Sequence, residues 1–301
     1  MRVLLTGASG YLGRHVLQVL QQQGIETICT SHNAYIESHR NNIFKTDLLS
    51  HDGAYKLVKH AKATHLLHLA WYVNHGDYWH SQRNYEWVQA SMRLIDAFCS
   101  SGGKHVTVAG TCAEYDWNYG YMKEGVTPYN PNTPYGVSKD AARRLLSSIC
   151  TNYGVEFSWG HIFFPFGFEE ASTRLIPSLI RVFRREIPAF GINKNAVRGL
   201  ISVQDAARGF LYLLQSNAVG NYNICSGIPT QLEQVVRIIA KYFDADPDII
   251  LKLETTRPGD PPMLLGNNER LSALGWRIQQ SLEHCIHETV SQKIASSPII
   301  N

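Results

Sequence analysis

The stretch RVLLTGASGYLGRHV, residues 2–16, decides the fold of this protein. Five residues of strand character, RVLLT, run directly into Gly7, Gly10 and Gly13, and a helical pattern begins immediately afterwards. Glycines at such a junction permit a tight turn and let the backbone approach a pyrophosphate, which then lies at a helix N-terminus where free N–H groups favour anions. A purely structural turn can produce the same glycines, so it is their place at the first strand-to-helix junction that predicts a dinucleotide site.

Short apolar segments alternate with segments of helical period along the chain after this turn. The strand-like segments are ETICT, HLLHLA, HVTVAG and FSWGHIFF. Their alternation with helices predicts an α/β fold of the Rossmann type, a doubly wound parallel sheet with helices on both faces. From about residue 170 the order changes, with helices expected near 203–215, 229–243 and 280–294. We therefore expect a dinucleotide-binding domain over residues 1–170 and a smaller mixed α/β substrate-binding lobe over 171–301, with some exchange of strands and helices between them.

The composition is that of an ordinary soluble globular protein. The formal charge is only +3 over 301 residues, and no run of Lys and Arg exceeds a pair, which argues against nucleic-acid and membrane partners. The opening apolar segment reaches a glycine turn too early for a signal peptide, so a cytoplasmic protein is expected. The six cysteines lack paired spacing and lie mostly in apolar runs, which predicts free thiols and no metal site.

The residues after the second strand bear on the choice of dinucleotide. ETICT is followed by Ser31, His32 and Asn33, where an acidic residue would bind the ribose of NAD and repel the phosphate of NADP. Together with Arg14 and Arg40, this favours NADP, with NAD as the alternative. Either arginine could instead be an ordinary surface residue.

Further cofactor contacts are predicted at the carboxyl ends of the next strands, where ligands of doubly wound sheets gather. The third strand is followed by Asp47 and Leu48, and the fourth ends at His68, Leu69 and Ala70. The full set of candidate cofactor residues is Gly7, Ser9, Gly10, Tyr11, Leu12, Gly13, Arg14, Ser31, His32, Arg40, Asp47, Leu48, Leu69, Ala70, Tyr135 and Lys139.

Tyr135 and Lys139, in TPYGVSKDAARR, form a candidate proton-transfer pair. Four residues apart on a helix, both side chains lie on one face, so the ammonium can approach the phenol. A close positive charge is expected to lower the tyrosine pKa towards neutral. Such a spacing is common by chance, but Thr111 closes the fifth strand and offers a hydroxyl suited to hold a carbonyl oxygen.

These motifs together resemble the extended short-chain dehydrogenase/reductase family of nucleotide-sugar epimerases, dehydratases and reductases. TGASGYLG, PYGVSK and the strand-end threonine carry the resemblance, and NYNICSG at 221–227 and RPGDPPMLLGNNERLSALGW at 257–276 are similar to signatures of the family's substrate lobe. The resemblance implies that Thr111, Tyr135 and Lys139 are the catalytic triad, with Asn84 a weaker candidate.

Departures from the family pattern indicate which branch the chain resembles. The dehydratases carry an Asp-Glu pair after the catalytic hydroxyl, where this chain has Cys112 and Ala113. The branch that epimerises carbons 3 and 5 uses a cysteine and a histidine where this chain has Ala113 and Arg174. We therefore expect this epimerase chemistry to be missing, unless His161 or Cys112 takes over from a shifted position. What remains is reduction of a keto sugar, because GTCAEYDW is similar to reductases of nucleotide-linked 4-keto-6-deoxyhexoses.

Other functions stay open from the sequence. An NAD-dependent 4-epimerase needs only the triad and a tightly held cofactor. A dinucleotide-sensing protein without catalysis and a reductase of carbonyls outside sugars are further alternatives, although sensing proteins generally lose the Tyr or the Lys, and both are present here.

The resemblance also implies a nucleotide-diphosphate sugar as substrate and a homodimer as the assembly. It places Arg198 and Arg257 near the diphosphate, with Arg174 a third candidate, because the planar guanidinium binds phosphate oxygens in pairs. Arg198 could alternatively form a structural ion pair with Asp205. An aromatic set could line the sugar pocket or simply pack: Trp71, Tyr78, Trp79, Tyr115 and Trp117.

Overall fold

A parallel sheet forms the centre of the protein. In the computed structural model, which describes residues 1–31, 42–253, 255 and 259–295, this sheet has seven strands. The strands of the described residues are β1 (Arg2–Thr6), β2 (Glu26–Ser31), β3 (Ile43–Lys45), β4 (His65–His68), β5 (His105–Thr111), β6 (Tyr121–Met122), β7 (Glu156–Ile162), β8 (Pro165–Phe166), β9 (Val197–Arg198), β10 (Ile201–Ser202), β11 (Gly220–Ile224), β12 (Thr230–Gln231) and β13 (Met263–Gly266).

Helices connect these strands. They are α1 (Tyr11–Gln22), α2 (Gly53–Ala61), α3 (Arg83–Ser100), α4 (Pro134–Tyr153), α5 (Leu175–Phe183), α6 (Val203–Gln215), α7 (Leu232–Tyr242), α8 (Asp248–Leu251), α9 (Glu269–Ala273) and α10 (Leu282–Ala295), with short 3-10 turns at Cys112–Glu114 and Trp117–Tyr119.

The strand order is that of a doubly wound sheet. It runs β3-β2-β1-β4-β5-β7-β11, and every neighbouring pair is parallel. The chain leaves β1 in one direction and, after β3, continues from β4 in the other, so the order reverses between β1 and β4. A crevice opens at the carboxyl ends of strands where such a reversal occurs. The predicted fold is therefore confirmed, and the glycine turn after β1 lies at this crevice.

Two apolar layers cover the sheet. Helices α1 and α6 pack on one face, where Val16 and Phe210 belong to one buried cluster. Helices α2, α3 and α4 cover the other face, where Leu57, Leu94 and Leu146 belong to a second cluster. Because both faces are buried, the strands are apolar almost throughout, which is why they appear in the sequence as short continuous apolar segments.

A second lobe carries a separate core. Strands β12, β9, β13 and β6 form a four-stranded sheet, β8 pairs with β10, and an apolar cluster joins α5, α7, α8 and α10. The lobe is mixed, since β12 pairs antiparallel to β9 whereas β13 pairs parallel to it.

The boundary between the lobes differs from a simple division at residue 170. Helix α6 and strand β11, which the sequence assigns to the second lobe, belong to the first, because β11 pairs in parallel with β7 at the edge of the main sheet. In the opposite direction, β6 leaves the first part of the chain and pairs with β13 in the second lobe. Strand exchange is therefore present in both directions, and the segment NYNIC is part of the dinucleotide-binding sheet.

The cysteines are core residues of the protein. All six cysteines are buried, as expected for small core residues. Among the described residues, no helix has the length and apolar character needed to cross a membrane, and no cluster of His, Cys, Asp and Glu could hold a metal ion.

Candidate active site

The glycine turn after β1 leaves no room for side chains. Gly7 has φ +76°, and a Cβ there would lie 2.7 Å from the backbone nitrogen of Ala70. A Cβ on Gly13 would lie 1.9 Å from the carbonyl oxygen of Gly7. Helix α1 begins after Gly10, whose position carries no side-chain cap, so the first-turn N–H groups are free of side-chain acceptors. The turn therefore fits the pyrophosphate of a dinucleotide, which needs close backbone approach and N–H donors.

Gly13→Ala should damage this turn strongly. The added methyl group meets the rigid backbone of Gly7 at 1.9 Å, so the helix must move away from the turn. We expect a loss of stability of about 2–4 kcal/mol and a loss of dinucleotide-induced stabilisation in thermal unfolding.

Gly10→Ala is the matched control for the stability effect. A Cβ there lies 3.2 Å from the same Gly7 oxygen, and Gly10 has φ −74°, so the backbone carries no strain. An equal melting temperature for the Gly10 and Gly13 variants would contradict the proposed close packing.

The other predicted cofactor residues lie around this crevice. The N–H of Leu69 donates to the carbonyl of Thr6 (3.2 Å), and the N–H of Ala70 donates to the Thr6 hydroxyl (3.3 Å), so the end of β4 is joined to the glycine turn. After β3, the Asp47 carboxylate accepts the N–H of Leu49 (2.9 Å). The neighbouring Leu48 is buried.

Residues on the first turn of α1 have mixed surroundings. Ser9 is exposed, and Leu12 packs against the cluster under α1 and α6. Burial raises the pKa of Tyr11, and its hydroxyl has no hydrogen-bond partner in the described part of the chain. Arg14 forms an ion pair of 2.9 Å with Glu169, so its guanidinium is already engaged by a carboxylate.

The end of β2 is described only in part. Ser31 is its last residue and pairs in register with Lys45 of β3. His32 and Arg40, which the sequence proposes as cofactor contacts, lie outside the described residues.

The structure brings Thr111, Tyr135 and Lys139 together. Thr111 is the last residue of β5, and Tyr135 and Lys139 lie in the first two turns of α4. The helix begins where the Thr133 hydroxyl accepts the N–H of Gly136 (3.2 Å). A Cβ on Gly136 would lie 2.5 Å from the carbonyl oxygen of Ala113, so α4 approaches the turn after β5 closely. This close approach brings the Thr111 side chain next to Tyr135.

Burial controls the protonation of the two titrating groups. It raises the pKa of Tyr135 above its ordinary value, and the neighbouring Thr111 hydroxyl offsets this only in part. The expected lowering by Lys139 is therefore wrong for this structure. The reason is that the ammonium is directed elsewhere: Nζ donates to the carbonyl of Ala109 (2.9 Å) and lies 3.8 Å from the ring centre of Trp71. Burial also lowers the pKa of Lys139 to about 7.

An aromatic wall covers Tyr135. The rings of Tyr78 and Trp79 meet its ring edge to face, with centroids 4.9 and 5.5 Å away, and Trp117 meets Trp79 at 6.2 Å. The backbone N–H of Tyr135 donates to the carbonyl of Trp79 (3.1 Å), which fixes the wall to the helix. Tyr115 lies away from this wall, because its hydroxyl donates to Asn223 (2.8 Å).

Asn84 supports the wall from behind. It lies at the start of α3, is fully buried, and accepts the indole N–H of Trp71 (2.9 Å). Its amide donates to the carbonyls of Tyr78 (2.7 Å) and Ser81 (2.9 Å). These bonds hold the segment that covers Tyr135, so Asn84 contacts the site only through other residues.

Two of the three arginines predicted at the diphosphate, Arg198 and Arg174, are paired with carboxylates in the described structure. Arg198 is buried on β9 and pairs with Asp260 at 2.6 Å, which corrects the alternative pairing with Asp205. Asp205 instead accepts Ser202 and pairs with Arg208. Arg174, whose Nε donates to Glu170 (2.7 Å), lies at the start of α5, and Arg257 is outside the described residues.

Neither Cys112 nor His161 can replace the cysteine and histidine that the 3,5-epimerising branch uses. Burial raises the pKa of the Cys112 thiol to about 12, so it is protonated at neutral pH. His161 is fully buried behind the turn, with Nε2 3.3 Å from Glu114 and Nδ1 3.4 Å from the Tyr115 hydroxyl. Neither side chain therefore supplies the base that proton removal beside a ketone requires.

Glu114 and Arg143 form an ion pair beside Thr111, Tyr135 and Lys139, and sequence spacing does not predict it. Glu114 is fully buried in the turn after Thr111, and its Oε2 lies 3.5 Å from Arg143 Nε. A carboxylate inside the otherwise apolar stretch TCAEY was the available signal, because buried charges require partners.

Comparison with known proteins places the chain in a family. A family model described as "NAD dependent epimerase/dehydratase family" matches residues 3–225. The dTDP-6-deoxy-L-talose 4-dehydrogenase (NAD(+)) of Aggregatibacter actinomycetemcomitans is 25% identical, over 78% of this chain and 88% of that protein. The UDP-glucose 4-epimerase of Corynebacterium glutamicum is 25% identical, over 92% of this chain and 90% of that protein.

A solved structure supports the same fold. The UDP-N-acetylglucosamine 4-epimerase from Methanobrevibacter ruminantium M1, in complex with UDP-N-acetylmuramic acid, has a TM-score of 0.86 at 22% identity, covering 98% of this chain and 99% of that one. The family match spans the glycine turn, Thr111, Tyr135 and Lys139. The chain therefore belongs to the NAD-dependent epimerase/dehydratase family and is an NAD(P)-dependent enzyme of the extended short-chain dehydrogenase/reductase type.

Proposed function

We propose that the protein reduces the keto carbon of a nucleotide-linked sugar, at carbon 4 of a 4-keto-6-deoxyhexose. The observation that carries this proposal is a buried, protonated Tyr135 beside Thr111, without an Asp-Glu pair directly after the threonine. The side chains next to the triad hydroxyl are Cys112 and Ala113, and neither can transfer a proton at neutral pH.

Each triad residue has a distinct role in this reaction. When bound, a reduced nicotinamide dinucleotide supplies the hydride. Thr111 holds the carbonyl oxygen, and Tyr135 donates the proton that the developing alkoxide takes up. Lys139 holds a positive charge next to this path, and the Trp71 ring 3.8 Å from Nζ favours the ammonium form.

The protonation of Tyr135 supports reduction over the reverse direction. Burial raises its pKa, so the phenol carries its proton and is ready to act as an acid. Oxidation of a sugar hydroxyl would need the phenolate as a base, and desolvation disfavours this form.

Relatives and basic residues support a nucleotide-linked sugar as substrate. The Aggregatibacter relative is named for a dehydrogenase acting at position 4 of a dTDP-linked 6-deoxysugar, which is the same chemistry in the opposite direction. We assign Arg198, Arg174 and Arg257 to the diphosphate or nucleotide. Arg198 and Arg174 would have to share or release their partners Asp260 and Glu170 to bind it. A homodimer is proposed from the same resemblance.

We propose NADPH as the preferred donor, with NADH as the alternative. Ser31 ends β2, so the last position of this strand has no carboxylate to repel a 2′-phosphate. The ion pair between Arg14 and Glu169 weighs against a strong preference, because Arg14 would have to leave this partner to bind the phosphate.

An NAD-dependent 4-epimerase is the second candidate. The UDP-glucose 4-epimerase of Corynebacterium glutamicum aligns with 92% of this chain, which supports it. Such an enzyme needs the same triad and a tightly held NAD, and it consumes no cofactor overall. Binding of a dinucleotide without catalysis is less consistent with the intact triad.

A substrate panel tests this proposal. The purified protein, mixed with NADPH or NADH and nucleotide-linked 4-keto-6-deoxyhexoses, should oxidise the cofactor, at a higher rate with NADPH. In parallel, nucleotide-linked hexoses with hydroxylated carbon 4 should remain unconverted. Conversion of these hexoses without added cofactor would establish the epimerase instead, and faster oxidation of NADH would overturn the cofactor preference.

A further inference from the structure

Glu114 is a buried carboxylate bonded to the residue that ends β5. Its Oε1 accepts the backbone N–H of Thr111 (2.8 Å), and the Thr111 hydroxyl accepts the N–H of Ala113 (3.2 Å). The indole N–H of Trp159 lies 3.0 and 3.1 Å from the two carboxylate oxygens. This reciprocal pattern is a capping box, and it fixes the backbone that carries the Thr111 hydroxyl.

The turn that contains Glu114 runs along one face of α4. Tyr135, Lys139 and Arg143 are spaced four residues apart and lie on the same face of the helix. Thr111 lies next to Tyr135 at one end of this row, and Glu114 pairs with Arg143 at the other, at 3.5 Å. Lys139 lies between these two contacts, so the carboxylate lies one helical turn from the Lys139 position.

Trp159 joins the carboxylate to the surroundings of Lys139. Its indole ring contacts the backbone of β5, where a Cβ on Gly110 would lie 2.0 Å from Nε1. The Lys139 ammonium lies 5.9 Å from the centre of the same ring and donates to the carbonyl of the adjacent Ala109. Glu114 therefore fixes a side chain that borders the ammonium.

We propose that Glu114 is a positioning residue of the triad, whose buried carboxylate holds Thr111 in place and supplies the negative charge that keeps the Lys139 ammonium protonated in its desolvated site. This inference rests on the triad as the proton-transfer group. It does not depend on the sugar, the nucleotide or the direction of the reaction.

The direction of the effect follows from the charges. Burial lowers the pKa of Lys139 to about 7, and the Glu114 carboxylate raises it against burial. The same carboxylate raises the pKa of Tyr135, although burial is the larger cause there. Removal of the charge should therefore lower both pKa values, so that Lys139 and Tyr135 lose their protons at lower pH.

Other titratable and charged groups lie around Glu114 and Lys139, and their effects on the Lys139 pKa must be distinguished from the effect of Glu114. Burial lowers the pKa of His68, on β4, to about 3, so it stays neutral near pH 7. Among the described residues, other titratable or charged groups around Glu114 and Lys139 are Cys112, Tyr115, Tyr129, Tyr135, Asp140, Arg143 and His161. His161 is the nearest imidazole, with Nε2 3.3 Å from the carboxylate.

A nuclear magnetic resonance titration of Lys139 tests the inference without any substrate. The full-length protein is labelled with a carbon isotope at lysine Cε, and the Lys139 signal is assigned by its loss in Lys139→Met. In Glu114→Gln, we expect the midpoint of this signal to move to lower pH by about half a unit or more, because a neutral amide replaces the nearby charge. An unchanged or raised midpoint would overturn the proposal.

Two variants provide matched controls. Glu124→Gln removes another buried carboxylate, which accepts the N–H of Asn223 near the second lobe, and it should leave the midpoint in place. A shift of equal size in this variant would overturn the proposal, since it would show a general response to lost buried charge. In a His161→Asn background, Glu114→Gln should still lower the midpoint; loss of the shift would assign the effect to His161.

A further variant keeps the test decisive if Glu114→Gln does not fold. Glu114→Met removes the charge and keeps a side chain of similar length that suits a buried site, so a shift to lower pH is again expected. A midpoint that stays unchanged or rises in Glu114→Met would contradict the proposed role of the charge. Because none of these measurements uses a sugar, failure of the proposed reductase activity would leave their outcome unaffected.

Discussion

In the Tyr135→Phe variant, turnover should fall by about two to four orders of magnitude, while dinucleotide binding stays close to that of the wild type. The change removes only the phenolic oxygen. Tyr135 is buried among Tyr78, Trp79 and Thr111, and the Phe ring fills the same space against the two aromatic neighbours. The protein should therefore keep its fold and lose the proton donor. Turnover is measured by cofactor oxidation, and binding by dinucleotide-induced thermal stabilisation.

Tyr153→Phe is the control for this result. Tyr153 lies at the other end of α4, is exposed, and donates its hydroxyl to Asp96 (3.1 Å), so the same chemical change is made on the same helix away from the site. It should leave turnover unchanged. If Tyr135→Phe kept near-full activity, the proton-transfer role assigned to Tyr135 would be wrong.

Lys139→Met should give the second large effect, with opposite consequences for activity and stability. Turnover should fall by about two orders of magnitude or more, because Lys139 is a proposed cofactor contact and its charge borders the proton-transfer path. Stability at pH 6 should rise, since the native protein no longer holds an ammonium in a site that is 4% exposed. Functional sites commonly carry such a cost to stability.

The pH dependence of that stability gain follows from linkage. An unfolded lysine titrates near its ordinary pKa, and burial lowers the pKa of Lys139 from 10.5 to about 7 in the folded protein. Between these values the unfolded state binds more protons, so the wild type gains stability as the pH rises through this window. Below pH 7 the penalty is fully present, and it corresponds to about 2–5 kcal/mol. The advantage of Lys139→Met should therefore be largest below pH 7 and shrink towards pH 10.

Chemical denaturation at several pH values measures this trend. Lys59→Met is the control, because Lys59 is exposed on α2 and its replacement should change stability little at any pH. A stability difference between wild type and Lys139→Met that stays constant with pH would show that the buried ammonium does not carry the assigned penalty.

Local sequence patterns predict most of the first lobe correctly. The segment RVLLTGASGYLG contains a complete strand, a turn and the start of a helix. Each of these elements depends only on the types of the residues within it. The apolar strands β4, β5 and β7 are visible because both faces of a parallel sheet are buried. The lobe boundary is less accessible to this reasoning. Strand β11 joins the main sheet only after a crossover through α6, and pairing between distant segments leaves no local mark in the sequence.

Local sequence also predicts some features of the candidate site and leaves others unpredicted. The types and spacing of Thr111, Tyr135 and Lys139 are visible in the chain, since a helix places residues four apart on one face. The pKa values of these side chains cannot be predicted from the sequence. The expected lowering of the Tyr135 pKa fails because the tertiary structure directs the Lys139 ammonium to Ala109 and Trp71. Glu114 is overlooked because its partners Arg143 and Trp159 come from other elements of the fold.

The sequence by itself determined the fold class, the glycine turn and the places of Thr111, Tyr135 and Lys139 at a strand end and on one helix face, because these depend on residue type and on local spacing. Only the tertiary structure decided which charges face one another. Arg198 meets Asp260 rather than Asp205, and Glu114 lies against α4 beside the triad. The strength of an electrostatic interaction depends on distance and burial, and both are set by the packing of segments far apart in the chain.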